Sequence, residues 1–188
     1  MAVVNKPCQY PQCSDLAVDR KYCRRHRSGV NRFEVLKRKA RSDRSPAEEW
    51  YVLSLVSLGS GCITRTMICR DPIRRRDEMQ SGCPWTLTMS AVIFAPKPTL
   101  EAIVYLLERE VIAHPRALSK NEWTGLRESW WPFDAPVLES MMVDVCDRLE
   151  QKGIKRPATP RDLKKLSLDK SQPEQYRLHS LLSLLEKR

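Results

Sequence analysis

The spacing of apolar positions changes along this chain, and the changes mark its elements. Val137, Leu138, Met141, Met142, Val145, Cys146 and Leu149 recur at i, i+1, i+4, i+5, i+8, i+9 and i+12. That is one stripe of a 3.6-residue period, and it predicts an amphipathic helix ending near Gly153. Leu100, Ile103, Leu106, Leu107 and Val111 form a second such face, with Thr99 placed to cap it. A capping box, Ser119-x-x-Glu122, opens a third with Trp123, Leu126 and Trp130, which Trp131-Pro132-Phe133 breaks. Thr159-Pro160 starts a short basic helix, and a last one from Ser171 or Pro173 uses Tyr176, Leu178, Leu181, Leu182 and Leu185.

Upstream the period is less settled. Ser45-Pro46-Ala47-Glu48 has the order of a helix start, and Trp50, Leu53, Val56 and Leu58 supply an apolar face up to Gly59, so a helix is expected there. Residues 62–69 and 86–94 are rich in β-branched side chains and alternate, which leaves a short β-hairpin and short helices both open. The stretch between them, including Arg74, Arg75 and Arg76, reads as a polar loop. Residues 30–41 place Val30, Phe33, Val35, Leu36 and Ala40 on one loose helical face with cations on the others.

The first thirty residues have too few apolar side chains to bury a core of their own. They do hold Cys8, Cys13, Cys23 and His26, spaced C-x4-C-x9-C-x2-H. Three thiolates and an imidazole suit tetrahedral Zn²⁺, and a closed set of four protein ligands is structural rather than catalytic. One structural zinc ion is therefore the expected cofactor, supplying the folding free energy the segment lacks. The chain has 7 cysteines and is expected to carry no export signal, which favours metal ligation over disulfides for clustered ones. Cys62, Cys69 and Cys83, with His114 or Cys146, are open between a second metal site and core packing.

This spacing resembles the short zinc modules of the C-x4-C…C-x2-H kind attached to some phage endonucleases, although no H-N-H signature follows here. It also resembles the three-cysteine, one-histidine fingers at the front of zinc-binding transcription factors of negative-strand RNA viruses, with different internal gaps. Either resemblance covers under a fifth of the chain. The second implies an oligomeric RNA-binding cofactor of a polymerase.

Charge sharpens the picture. The formal net charge is +10, distributed as +8 over residues 1–45, +1 over 46–100, −5 over 101–150 and +6 over 151–188. Two basic ends around an acidic middle suit a grip on a polyanion beside a surface for protein contacts. Arg20, Lys21, Arg24, Arg25, Arg27, Arg32, Lys37, Arg38, Lys39 and Arg41 are the candidate phosphate contacts, and Tyr10, Tyr22 and Phe33 are open between base stacking and packing. Arg74, Arg75, Arg76, Lys164 and Lys165 are a candidate secondary basic patch. Trp123, Trp130, Trp131 and Phe133 are open between core and a partner surface. No apolar run approaches the roughly 20 residues of a membrane span, so no membrane contact is expected. No H-E-x-x-H, G-x-S-x-G or phosphate-loop signature appears, so a binding protein is expected rather than an enzyme.

The expected architecture is mainly α: a zinc module over residues 1–30, a basic helix and linker over 31–45, and an α-helical domain with a basic tail over 46–188, with 62–94 open to a short hairpin. The expected function is zinc-dependent nucleic-acid binding, RNA ahead of DNA, by a regulatory or accessory protein with roles such as transcription regulation. The helical domain would serve a protein partner or self-association into an oligomer. The alternative is an adaptor whose zinc is purely structural and whose basic ends bind an acidic protein or a ribonucleoprotein. An intracellular location is expected, nuclear or cytoplasmic, with the basic pairs between residues 24 and 39 spaced like a bipartite import signal.

Overall fold

The computed structural model describes residues 6–9, 13–17, 21–46, 49–59, 63–113, 131 and 133–161. Helix α1 (Arg24–Ser42) leaves the N-terminal cysteine segment and is followed by β1 (Tyr51–Leu58), β2 (Ile63–Cys69), α2 (Pro72–Ser81), β3 (Leu87–Ala95), α3 (Lys97–Ala113) and α4 (Ala135–Glu150). The expected small cysteine–histidine cluster followed by a mostly helical domain with a minor sheet is what the structure contains. The expected final helices beyond residue 161 and the one opened by Ser119 lie outside the described residues.

Two elements differ from expectation. Residues 51–58 form the central strand of an antiparallel sheet of order β2-β1-β3, not a helix. A central strand buried on both faces is apolar at odd and even positions alike, and such a run cannot be told from a buried helix by its period. Leu53 and Leu55 face one core, while Val52 and Val56 face two smaller clusters on the other side of the sheet. The apparent helix start is a turn: Ser45 N–H donates to Asp43 Oδ1 at 2.8 Å and Glu49 N–H to the Pro46 carbonyl at 3.0 Å.

The second difference is the arginine run, which lies on helix α2 rather than in a loop. Asp71 caps that helix, accepting from Arg74 N–H at 2.9 Å, and Pro72 occupies its first turn. Residues 62–94 thus contribute two strands flanking a helix. The chain crosses from one edge of the sheet to the other through α2, which lies over the cluster of Val56, Met67 and Leu87.

The main core lies on the opposite face. There Leu53, Leu55, Ile93 and Ala95 meet Leu100, Ile103 and Leu107 of α3, Leu138, Met142, Val145 and Leu149 of α4, and Phe33, Leu36 and Ala40 of α1. Trp131 and Phe133 are buried in this core, and Trp131 exchanges two backbone hydrogen bonds with Thr64 at the edge of β2. They are core residues, not a partner surface; Trp123 and Trp130 lie outside the described residues. The helix α4 ends close to where its period predicted, with Gly153 at φ +75° and Ile154 N–H donating to the Leu149 carbonyl.

Candidate metal centre

The N-terminal segment folds back on itself before entering α1. Pro7 and Leu16 form an isolated bridge, Cys8 N–H donates to the Asp15 carbonyl at 2.9 Å, and Ala17 N–H donates to the Lys6 carbonyl at 2.9 Å. Gln9 N–H donates to the Lys21 carbonyl at 2.8 Å, which joins the loop to the approach of the helix. Cys23 is the N-cap of α1, and its side chain makes no cap hydrogen bond. His26 is therefore the third residue of the first turn. The spacing C-x2-H is that of a capping box, and here it turns both side chains toward one point.

Cys8, Cys13, Cys23 and His26 bring one ligand atom each to within 4.8 Å of the others. The Cys8 and Cys23 sulfurs lie 3.4 Å and 3.3 Å from His26 Nδ1, and the Cys13 and Cys23 sulfurs are 3.9 Å apart. Tetrahedral zinc with Zn–S of about 2.3 Å and Zn–N of about 2.0 Å places sulfurs about 3.8 Å apart and sulfur about 3.5 Å from nitrogen. These three separations match edges of that tetrahedron, and every other pair lies within 4.8 Å. Cys23 N–H also points at the Cys8 sulfur, 3.3 Å away, which favours a thiolate there.

Without a cation, electrostatics oppose a second and third thiolate here. Desolvation pushes the Cys13 thiol up to about 11, against a backbone hydrogen bond at Asp15 and with the neighbouring Cys8 and Cys23 sulfurs adding to the rise. Three thiolates can share this volume only around a cation. The first turn of α1 contains no acidic residue and begins Arg24-Arg25, the wrong sign for the positive end of a helix dipole. Three thiolates around one divalent ion carry a net negative charge, and they would supply at the N-cap the countercharge that the first turn lacks.

From this corner α1 runs across α3. Phe33 stacks on Tyr105 in α3 and is buried, so it packs rather than offers itself to a base. Arg24, Arg27, Arg32, Arg38, Lys39 and Arg41 are exposed on the outer side, and Lys21 is exposed just before the helix. Two of the expected cations are partly committed elsewhere. Lys37 pairs with Glu34 at 2.6 Å and lies over the Phe33 ring, and Arg41 donates through Nε to the Lys152 carbonyl at 2.8 Å. Arg20 and the Arg25 side chain are outside the described set.

The arginines of the expected secondary patch are paired with carboxylates of their own helix. Arg74 and Arg75 pair with Glu78 at 3.0 Å and 2.9 Å, Arg76 pairs with Asp77, and the two arginines hold the Glu78 carboxyl below its ordinary range. Lys164 and Lys165 lie outside the described residues, as do Cys62 and His114. Cys69 and Cys83 pack beside the cluster under α2, whereas Cys146 is buried in the main core across the sheet. Among the described residues the N-terminal set is the one grouping of metal-type ligands.

Sequence reading missed Arg70, Lys97 and Lys155, which gather around Tyr51 and Trp50 at the end of the sheet where β1 begins. They are isolated in the sequence, and strand register brings them together. No helix among the described residues is long and apolar enough to cross a membrane. No protein family, curated protein or solved structure matches this chain.

Proposed function

We propose that this protein is a zinc-stabilised nucleic-acid-binding accessory protein, regulatory rather than enzymatic, with RNA as its preferred polymer. The observation that carries the reading is the junction of the cysteine–histidine cluster with α1. The same turn that would hold the metal starts a 19-residue helix whose outer side presents Arg24, Arg27, Arg32, Arg38 and Lys39. Zinc would be held by Cys8, Cys13, Cys23 and His26, and its chemistry is that of a structural cross-link fixing the N-terminal loop to the helix.

The cations suit phosphate, which they contact without reading sequence. Phe33 is absorbed by Tyr105, so the contact rests on charge rather than on stacking from α1. RNA is favoured because the chain lacks the spacing of a two-cysteine, two-histidine finger that would present a recognition helix to the major groove of DNA. The helical domain and the acidic stretch over residues 101–150 would serve a protein partner.

The test is fluorescence anisotropy of single-stranded and duplex RNA and DNA across a salt series, with wild type and an Arg24→Ala/Arg38→Ala/Lys39→Ala variant. Wild type should show a log-linear loss of affinity with salt. The variant should bind at least tenfold more weakly, with a slope shallower by about 3, near 0.9 for each lost phosphate contact. Equal affinity and slope in the two proteins would overturn the reading of α1 and favour the adaptor.

A further inference from the structure

At the end of the sheet where β1 begins, two cations converge on one ring. Arg70 follows β2 directly and lies with its guanidinium carbon 5.0 Å from the centre of the Tyr51 ring, and Lys97 places its ammonium 5.6 Å from the same centre. The register explains the meeting. Val52 pairs with Cys69 and Tyr51 with Ala95, so β1 brings its first residue between the ends of both neighbours. On the neighbouring residue, Lys155 lies 5.9 Å from the Trp50 ring, whose indole N–H donates to the Ser45 carbonyl at 2.9 Å just beyond the end of α1. Arg41 of α1 reaches the Lys152 carbonyl, so the C-terminal end of the basic helix adjoins this rim.

These cations are only weakly countered among the described residues. Arg76, Arg148 and Arg156 each pair with a carboxylate, and Arg74 and Arg75 share that of Glu78. Arg70 and Lys155 make no ion pair among the described residues, and Lys97 reaches Glu101 only at 3.9 Å. The acid nearest to Arg70 in sequence, Asp71, is committed to capping α2. An aromatic face attracts a cation without neutralising it, so the rim holds its positive charges in place and leaves them available.

We infer that this rim is a second phosphate contact: Arg70 and Lys97, gathered on Tyr51, bind the backbone of the same nucleic acid that α1 grips, with Lys155 extending the contact. The inference rests on the proposed function, and its partner is a phosphodiester chain rather than an acidic protein. The two cations come from different elements, so the contact exists only in the folded sheet. That also makes it invisible to a scan for basic runs.

The experiment uses the full zinc-loaded chain and a labelled 20-nucleotide RNA, single-stranded and duplex, across a salt series. Four proteins are compared: wild type, the α1 variant Arg24→Ala/Arg38→Ala/Lys39→Ala, Arg70→Gln/Lys97→Gln, and the charge-preserving Arg70→Lys/Lys97→Arg. Both substituted rim positions are exposed, and circular dichroism checks the fold of each protein. The neutral pair should bind about tenfold more weakly with a salt slope shallower by about 2, and the charge-preserving pair should retain most of the affinity. Unchanged affinity and slope in the neutral pair, beside weakened binding by the α1 variant, would overturn the rim contact and leave the α1 reading intact. Competition by polyglutamate as effective as by RNA of equal charge would assign the rim to an acidic protein and overturn it. Failure of wild type to bind any of these polymers would remove the proposed function and this inference with it.

Discussion

Phe33 of α1 and Tyr105 of α3 stack with ring centroids 4.8 Å apart and planes 13° from parallel, which ties the basic helix to the main core. The helix therefore belongs to the domain it precedes in sequence and is not a free arm. Its cations are held on a rigid surface. Phe33→Ala should cost about 3–5 kcal/mol, the usual range for deleting a buried ring, read by chemical denaturation. A loss below about 1 kcal/mol would show that α1 is not docked in this way.

Gly29 lies one turn before Phe33 on the same side of α1. A methyl group there would meet the Tyr105 hydroxyl oxygen at 3.7 Å, an ordinary contact. Glycine is thus not required by space, while it weakens the helix interior. Gly29→Ala should stabilise the protein by about 0.5–1 kcal/mol, seen as a higher denaturation midpoint. A destabilised variant would mean that the helix needs to approach α3 more closely than this.

Ala91 adopts φ +47° where the pairing of β1 with β3 slips by one residue between Leu53 and Leu55. The slip is a bulge, and a left-handed non-glycine residue at it is strained. Ala91→Gly should raise stability by about 0.5–1 kcal/mol, and Ala91→Val should lower it, both measured by denaturant titration.

Burial pushes the Cys146 thiol up to about 11, mainly by desolvation among core residues of α4. A thiol with a folded value above the unfolded one of about 8.5–9 favours the native state while it stays protonated. Its contribution is complete below about pH 9 and declines as pH rises toward 11, by about 2 kcal/mol. Unfolding free energies measured from pH 8 to 10.5 should fall less steeply in Cys146→Ala than in wild type, although the variant starts lower. Parallel profiles would show that Cys146 ionises as freely in the native state as in the unfolded chain.

Much of this organisation is legible in the sequence, for stated reasons. The metal cluster is local: Cys23 and His26 share one helical turn, and Cys8 and Cys13 are only five positions apart, so spacing alone carries the chemistry. The helix α4 was equally plain because only one of its faces is buried. The strand β1 was not, because burial on both faces erased its alternation and the residues after Ser45 imitated a helix start. Helix α2 had a readable signal in Asp71-Pro72, an N-cap followed by proline, which the run of arginines obscured. Arg70, Lys97 and Tyr51 had none, since their meeting depends on which strands pair.

The most direct measurement joins metal to binding: zinc content of the purified chain, and its RNA affinity before and after removal of the metal by a strong chelator. The account predicts one zinc ion per chain and binding that weakens at least tenfold on chelation and returns when zinc is restored. It also predicts that the main core stays folded, because Phe33, Leu36 and Ala40 hold the rest of α1 in place. A chain that binds no zinc, or that binds RNA equally well with and without it, would contradict the central claim.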